Sequence, residues 1–399
     1  MQNKKRPAPR KNNSPPEDQD DVLSDALCAL ALELAEQEDA ETEGAELRRK
    51  HNDFVRLVRK YVQQQKDELL YTAVMQARDE DVAAWRMLRE TVEEAAGTIH
   101  VRRDNAPDME INAFAIPVFV HSTGGLVQDQ EFQDDAAYDA LLASFTQAGL
   151  EAPKARVVLV RHAYDLGEMS RIRYGHLNAM VREAASAMMD KKVSAAPALD
   201  RSIGGWPKND FGPDDSAVEL RFLLGFALKR ADDPFYAAPA DEAAQDDYYA
   251  ARMERYRQWT VDMAPLVARC LAGERSVQLN FLYQDLFYGA LEQGRLEFAM
   301  LEMLAQLRAV LDGGVAPARI VIAPAEARNE TVLRVVLYGA DGSRLVACDK
   351  PVDPDCDIDV EVDDVADALS TLGIAPEAIE LAAGYDNLGR PMDARPLGH

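Results

Sequence analysis

Two histidines near the ends of apolar segments are the residues best suited to chemistry in this sequence. His121 ends the first long apolar run, and His162 lies near the end of the second. If both runs are strands of a parallel sheet, the two histidines lie at its carboxyl edge, where α/β proteins bind ligands. Because imidazole titrates near neutral pH, His162 is the candidate acid–base residue and His121 a second catalytic candidate. Asp165, or alternatively Glu168, is the candidate carboxylate that orients His162.

The turn after His121 contains the candidate ligand-binding groups. Exposed backbone amides in such a turn can hold an anion, which makes this segment a possible site for a small anionic or phosphorylated compound. Trp206, which follows a second Gly-Gly pair, is a candidate to line a pocket. Neither pair belongs to a known phosphate-loop pattern, so the alternative is that these residues only shape strand ends and loops. The turn residues concerned are Ser122, Thr123, Gly124 and Gly125.

A basic segment follows an acidic one near the N-terminus. Twelve acids and no Lys or Arg occur from Glu17 to Glu46, and seven bases with one acid occur from Arg48 to Lys66. The apolar spacing predicts helices in both segments. Two interpretations remain open: a charge-matched pair of helices, or a surface that binds a partner. The candidate partner-binding residues here are Arg49, Arg56 and Lys60.

A second charged segment, 353–364, alternates acids with apolar residues. Strict alternation predicts a half-buried strand with one solvated face. A calcium loop is an alternative, but the position that requires Gly for the sharp turn is Ile358. A docking patch for a basic partner is the third alternative. It would use Asp355, Asp357 and Asp359.

The elements that must position these residues predict an α/β (or α+β) protein. Strands alternating with helices follow a helical N-terminal region and suggest two strand–helix–strand lobes, which raises the possibility of a duplicated unit. The Asp-Gly between two apolar runs at 331–348 predicts a hairpin. The expected organisation is a disordered tail (1–21), a helical region (22–97), a first lobe (110–231), a linker or exposed loop (232–247), a second lobe (248–384) and a loose tail (385–399).

Composition narrows the function classes. With 44 Lys+Arg and 69 Asp+Glu the formal charge is 44 − 69 = −25, which disfavours general nucleic-acid coating. No apolar stretch is long enough for a membrane span, and no apolar run follows the basic N-terminus as in a secretory signal. Four scattered cysteines fit reduced thiols, so we expect a cytoplasmic protein. We expect no cofactor and no metal, and the oligomeric state stays open.

These observations favour an acidic binding or regulatory protein that engages a macromolecular partner, most simply another protein. One alternative is an enzyme or ligand-binding protein that acts on a small anionic compound at the edge of the first sheet. In that scheme His162 transfers protons, Asp165 orients it, and the turn after His121 holds the anion. The other alternative is an exported protein that acts outside its own cell, with the polar N-terminal segment as its address.

Overall fold

The computed structural model describes residues 19–39, 45–102, 104–121, 132, 134–189, 218–272, 277–314, 319–327, 330–353, 356–386 and 388–397. The fold is mixed α/β with a helical N-terminal region, as the sequence predicts. The helices are α1 (Gln19–Asp39), α2 (Ala45–Gln63), α3 (Asp67–Glu80), α4 (Val82–Gly97), α5 (Asp135–Gln147), α6 (Leu166–Arg171), α7 (Tyr174–Met189), α8 (Glu242–Ala272), α9 (Phe287–Asp312) and α10 (Ile358–Ser370).

The strands form sheets of different size. They are β1 (Thr98–Val101), β2 (Met109–His121), β3 (Arg156–Tyr164), β4 (Val218–Arg230), β5 (Gln278–Phe281), β6 (Asp285–Leu286), β7 (Arg319–Ala327), β8 (Glu330–Tyr338), β9 (Arg344–Pro351), β10 (Ile379–Leu381), β11 (Gly384–Tyr385), β12 (Pro391–Met392) and β13 (Arg395–Pro396). The first sheet has the order β1-β2-β4-β3, with β5 and β6 also paired to β2.

The chain divides into two units that are discontinuous in sequence. Unit 1 comprises Met1–Ala115, Val127–Gly212 and Leu223–Arg275, and unit 2 comprises Ile116–Leu126, Pro213–Phe222 and Ser276–His399. The unit boundaries therefore fall within β2 and β4. Two long strands contribute to both units, which the sequence pattern did not indicate.

The N-terminal part of unit 1 contains the four helices α1 to α4, which occupy most of the region 22–97 that the sequence predicts to be helical. Leu27 and Leu34 of α1, Phe54 and Val58 of α2, and Leu88 of α4 are fully buried, as the apolar spacing predicts. Asp81 separates α3 from α4. Its carboxylate accepts a hydrogen bond from the Ala84 backbone amide at 2.8 Å, so Asp81 caps the N-terminus of α4.

In the rest of unit 1, α8 packs on α5 through aromatic side chains. The Trp259 indole N–H donates to the Ser144 hydroxyl at 2.7 Å, and its ring lies 5.2 Å from that of Phe145. Trp259 is buried, so this hydrogen bond satisfies its polar atom within an apolar core. The segment 232–247, expected to be a linker or exposed loop, belongs to unit 1 and contains a 3₁₀ turn over Pro234–Tyr236 and the start of α8 at Glu242.

Unit 2 contains a five-stranded sheet of order β13-β10-β7-β8-β9. The hairpin predicted from Asp341-Gly342 is confirmed: β8 and β9 are antiparallel, and Gly342 has φ +75°, a conformation that favours glycine. Side chains from α9 and α10 pack with one face of this sheet around Ile320, Val335 and Val365. The segment 385–399, which the sequence assigned to a loose tail, contains Tyr385 of β11 and all of β12 and β13.

The strand predicted over 353–364 is wrong, because this segment contains the start of α10. Asp357 is the N-cap and accepts from the Asp359 amide at 3.0 Å. Val362, Val365 and Leu369 are buried at helical spacing. In contrast, the exposed fractions of Ile358 and Val360 are 37% and 52%, although a half-buried strand would turn both inward. The helical apolar period from Val362 onward thus prevails over the local alternation.

The suspected duplication is not confirmed. The first strand–helix–strand segment uses β2 and β3, which belong to the same sheet. The second uses β5 and β7, and these two strands belong to different sheets. The two segments therefore differ in how their strands are placed in sheets.

Candidate functional site

His162 lies in a buried polar cluster of unit 1. Its Nε2 atom is 3.0 Å from Glu168 Oε2 and 3.2 Å from Oε1, and both side chains are almost completely buried. The Tyr164 ring meets the imidazole edge-on, with centroids 4.7 Å apart. Burial, together with the Glu168 charge, raises the pKa of Tyr164 above its ordinary range. The cluster thus favours a neutral tyrosine beside a histidine–carboxylate pair.

Asp165 has a different position from the one the catalytic scheme gave it. Its carboxylate accepts from the Glu168 amide at 2.7 Å, and Glu168 in turn accepts from the Asp165 amide at 2.9 Å. This reciprocal pair is a capping box at the start of α6. The carboxylate placed against His162 is therefore that of Glu168, the alternative recognised in the sequence. Asp165 supports it indirectly by fixing the helix start.

His121 has its own surroundings in unit 2. Its Nε2 atom lies 3.3 Å from the side-chain amide nitrogen, Nδ2, of Asn280 on β5. The pairings of β2 with β1 and with β5 are antiparallel, and β4 lies between β2 and β3 in the sheet order. The strands that carry His121 and His162 are therefore not neighbours in the sheet, and the expectation that both histidines lie at one edge stays a prediction. Their assignment as catalytic residues stays a prediction.

The predicted ligand-binding residues lie outside the described residues: Ser122, Thr123, Gly124, Gly125 and Trp206.

The cysteines of the chain do not suggest a reactive site. All four are free, and burial raises the pKa of Cys270 and of Cys348 to about 11. These two thiols stay protonated at neutral pH. Within the described ranges, no group of three or more His, Cys, Asp or Glu side chains could hold a metal ion.

The predicted basic residues of α2 lie on one exposed stripe. Arg49, Arg56 and Lys60 are exposed and fall within about 40° around the helix axis at 100° per residue. Arg56 pairs with Asp53 of its own helix at 2.9 Å. We call these three cations the basic stripe. Lys50, which lies off the stripe, pairs with Glu33 of α1 at 2.6 Å, so the acidic helix does contact the basic one.

The acidic residues of α10 form a second exposed surface. Asp359 is exposed and follows the Asp357 cap, whereas Asp355 lies outside the described residues. Sequence reasoning missed the later acids of this helix, although the apolar period of Val362, Val365 and Leu369 placed them opposite the buried side. We call the following four exposed carboxylates the acidic face: Asp359, Asp363, Asp364 and Asp367.

The acidic face surrounds an exposed apolar residue. At 100° per residue the four carboxylates spread over an arc of about 140°, and Val360 falls inside it. In the described part of the chain no ion pair joins any of these four carboxylates to a cation. The cation nearest in sequence is Lys350, which is buried and pairs with Glu361 on the other side of α10.

Comparisons with known proteins identify no relative: no family model, no curated protein and no solved structure matches the chain. Among the described helices, none is both long and apolar enough to span a membrane.

Proposed function

We propose that this protein is a binding protein that engages a basic segment of a protein partner through the acidic face of α10. The observation that carries the proposal is the exposed set of carboxylates around Val360, which has no neutralising cation in the described part of the chain. Charged groups of one sign around an apolar residue favour a partner of the opposite sign with an apolar anchor.

The other acidic helix, α1, is a poorer candidate because three of its carboxylates contact other residues of unit 1. Glu33 pairs with Lys50 at 2.6 Å, and Asp20 pairs with Lys66 at 2.9 Å. Asp25 accepts a hydrogen bond from Gln76 at 2.7 Å. These three contacts join α1 to its neighbours in unit 1. Within the described ranges, no ion pair links the carboxylates of the acidic face to another element in this way.

The total charge of the chain supports the same partner chemistry. A formal charge of −25 attracts basic proteins over distances up to the Debye length, about 8 Å at physiological salt, and raises their association rate. Exposed apolar surface then stabilises the encounter. Val360 is 52% exposed and Ile358 is 37% exposed, and both are at the start of the helix that carries the acidic face.

A binding titration on the full chain tests the proposal. The probe is a synthetic helical peptide with Lys at every fourth position and Leu on the adjoining face. We expect Asp363→Asn/Asp367→Asn to weaken binding by about 2- to 30-fold, since each substitution removes one exposed charge pair of about 0.2–1 kcal/mol. The matched control is Asp246→Asn/Asp247→Asn, which makes the same change of net charge at exposed positions on α8.

The control separates a local surface from general acidity. If both double variants weaken the peptide equally, binding follows net charge and the acidic face has no special role. If neither variant weakens it, the proposal is wrong. A peptide with Glu in place of Lys should not bind. Val360→Ser should weaken binding of the Lys peptide, although it leaves the charge of the chain unchanged.

A further inference from the structure

We infer that a second copy of this chain is one partner for the acidic face, and that its basic stripe is the part that docks. This inference rests on the proposed function, because it needs the acidic face to bind cations. It identifies the molecule that binds the acidic face as a second copy of this chain. The contact joins the exposed face of α2 in one molecule to the exposed face of α10 in another.

The basic stripe is available to a partner. Within the described ranges, neither Arg49 nor Lys60 is joined to a carboxylate by an ion pair. Lys60 lies 5.8 Å from the ring centroid of Tyr61, and Arg56 pairs with the neighbouring Asp53. Among the residues that the structure describes, the acids of α1 pair with Lys50 and Lys66, and no ion pair joins them to the stripe. The charge-matched pairing of α1 with α2 therefore leaves the stripe exposed.

The two surfaces are complementary in sign, charge and length. Helix α2 has six Lys or Arg and two acids, a net +4, whereas α10 has five acids and no base, a net −5. At about 1.5 Å per residue the stripe extends about 16 Å and the acidic face about 12 Å. Both faces repeat with near-helical spacing, so two straight helices can align along their lengths.

The total charge opposes this contact, because two copies at −25 repel each other. Salt at about 0.15 M limits this repulsion to a range of about 8 Å, while charges in direct contact are screened less. The association should therefore be weak and strongest at intermediate salt. A contact between unlike surfaces leaves one of each exposed unless a two-fold dimer or a closed ring uses both.

Sedimentation velocity on full-length protein tests this. In variant A the stripe is reversed by Arg49→Glu, Arg56→Glu and Lys60→Glu, which changes the net charge to −25 − 6 = −31. In variant B the acidic face is reversed by Asp363→Lys, Asp364→Lys and Asp367→Lys, which gives −25 + 6 = −19. All six positions are exposed, and circular dichroism checks that each variant retains its helices.

We expect the native chain to associate at about 0.15 M salt and protein concentrations up to about 0.5 mM, and to lose at least about tenfold in affinity at 1 M salt. Variants A and B should each be monomeric. An equimolar mixture of A and B should associate again, because the unaltered acidic face of A meets the unaltered stripe of B, and the reversed stripe of A meets the reversed face of B. If net charge alone controlled association, variant B at −19 would associate more strongly than the native chain at −25, because its copies repel each other less.

The inference is overturned if the native chain is monomeric across this range, if A or B still associates, or if their mixture does not. The proposed function has a separate readout. The Lys peptide should bind variant A, whose acidic face is intact, and should not bind variant B. A monomeric native chain that binds the peptide refutes self-association alone, whereas a chain that associates but does not bind the peptide refutes the broader proposal.

Discussion

The buried ion pair between Lys350 and Glu361 provides a sharp test of how unit 2 is held together. Lys350 is on β9 and Glu361 is on α10, and their side chains are only 6% and 8% exposed. Replacing Lys350 with Met keeps the aliphatic length but leaves the Glu361 carboxylate without its cation inside the core. Such a loss costs about 3–5 kcal/mol, which lowers the folded-to-unfolded ratio of unit 2 by more than about 100-fold.

The double variant Lys350→Met/Glu361→Leu removes both charges and should recover most of this loss, since apolar replacement of a buried pair is often neutral. The control is Arg334→Met on the neighbouring strand. Arg334 pairs with Asp349 at 2.6 Å, but these side chains are 28% and 34% exposed, so the cost should stay below about 1 kcal/mol.

Hydrogen exchange of the α10 and β9 amides in the full chain measures these changes, because it reports on unit 2 even where the two units unfold separately. If Lys350→Met lowers the free energy of unfolding no more than Arg334→Met does, the buried carboxylate of Glu361 does not depend on its cation as we expect. A double variant as unstable as the single one would likewise contradict this expectation, because the loss would then come from packing and not from an uncompensated charge.

Two further predictions concern unit 1. Gly225→Ala should destabilise the first sheet by about 1–3 kcal/mol in urea unfolding, because an added Cβ would lie 2.3 Å from Phe114 Cζ and 2.8 Å from Leu159 Cδ2. Phe114→Leu should offset part of that cost in the double variant, and a stabilising Gly225→Ala would contradict the crowding. Burial raises the pKa of Glu151, whose Oε2 accepts from the Tyr236 hydroxyl at 2.5 Å. Because a raised pKa means that the folded state binds the proton more tightly, the stability contributed by neutral Glu151 is present at acid pH and lost as the pH rises through the raised value. Relative to Glu151→Gln, the native chain should therefore lose stability on going from about pH 4 to pH 7, and parallel pH profiles would refute this.

Local signals in the sequence were sufficient where the structure depends on local interactions. The Asp341-Gly342 turn marked the β8–β9 hairpin because few residues other than glycine adopt its positive φ. The spacing of Phe54 and Val58 identified the buried side of α2 and therefore its exposed stripe. Asp165 and Glu168, three residues apart, contained the capping-box pattern that places a carboxylate at the start of α6.

The sequence was insufficient where distant contacts decide the outcome. Nothing local indicates that β4 pairs between β2 and β3, so the proximity of His121 to His162 could not be judged. At α10 two periods overlap: acids alternate up to Glu361, while Val362, Val365 and Leu369 follow the helical period. Packing of these residues with the sheet of unit 2 stabilises a helix over a strand here. This packing depends on strands that are distant in the chain.

The most direct test of the central claim is to locate the bound basic peptide on the full chain. Hydrogen exchange followed by mass spectrometry, with and without the Lys peptide, measures protection along the whole sequence. We expect protection to concentrate in residues 356–370 and to disappear in Asp363→Asn/Asp367→Asn. Protection confined to α1, or spread over every acidic segment, would contradict it.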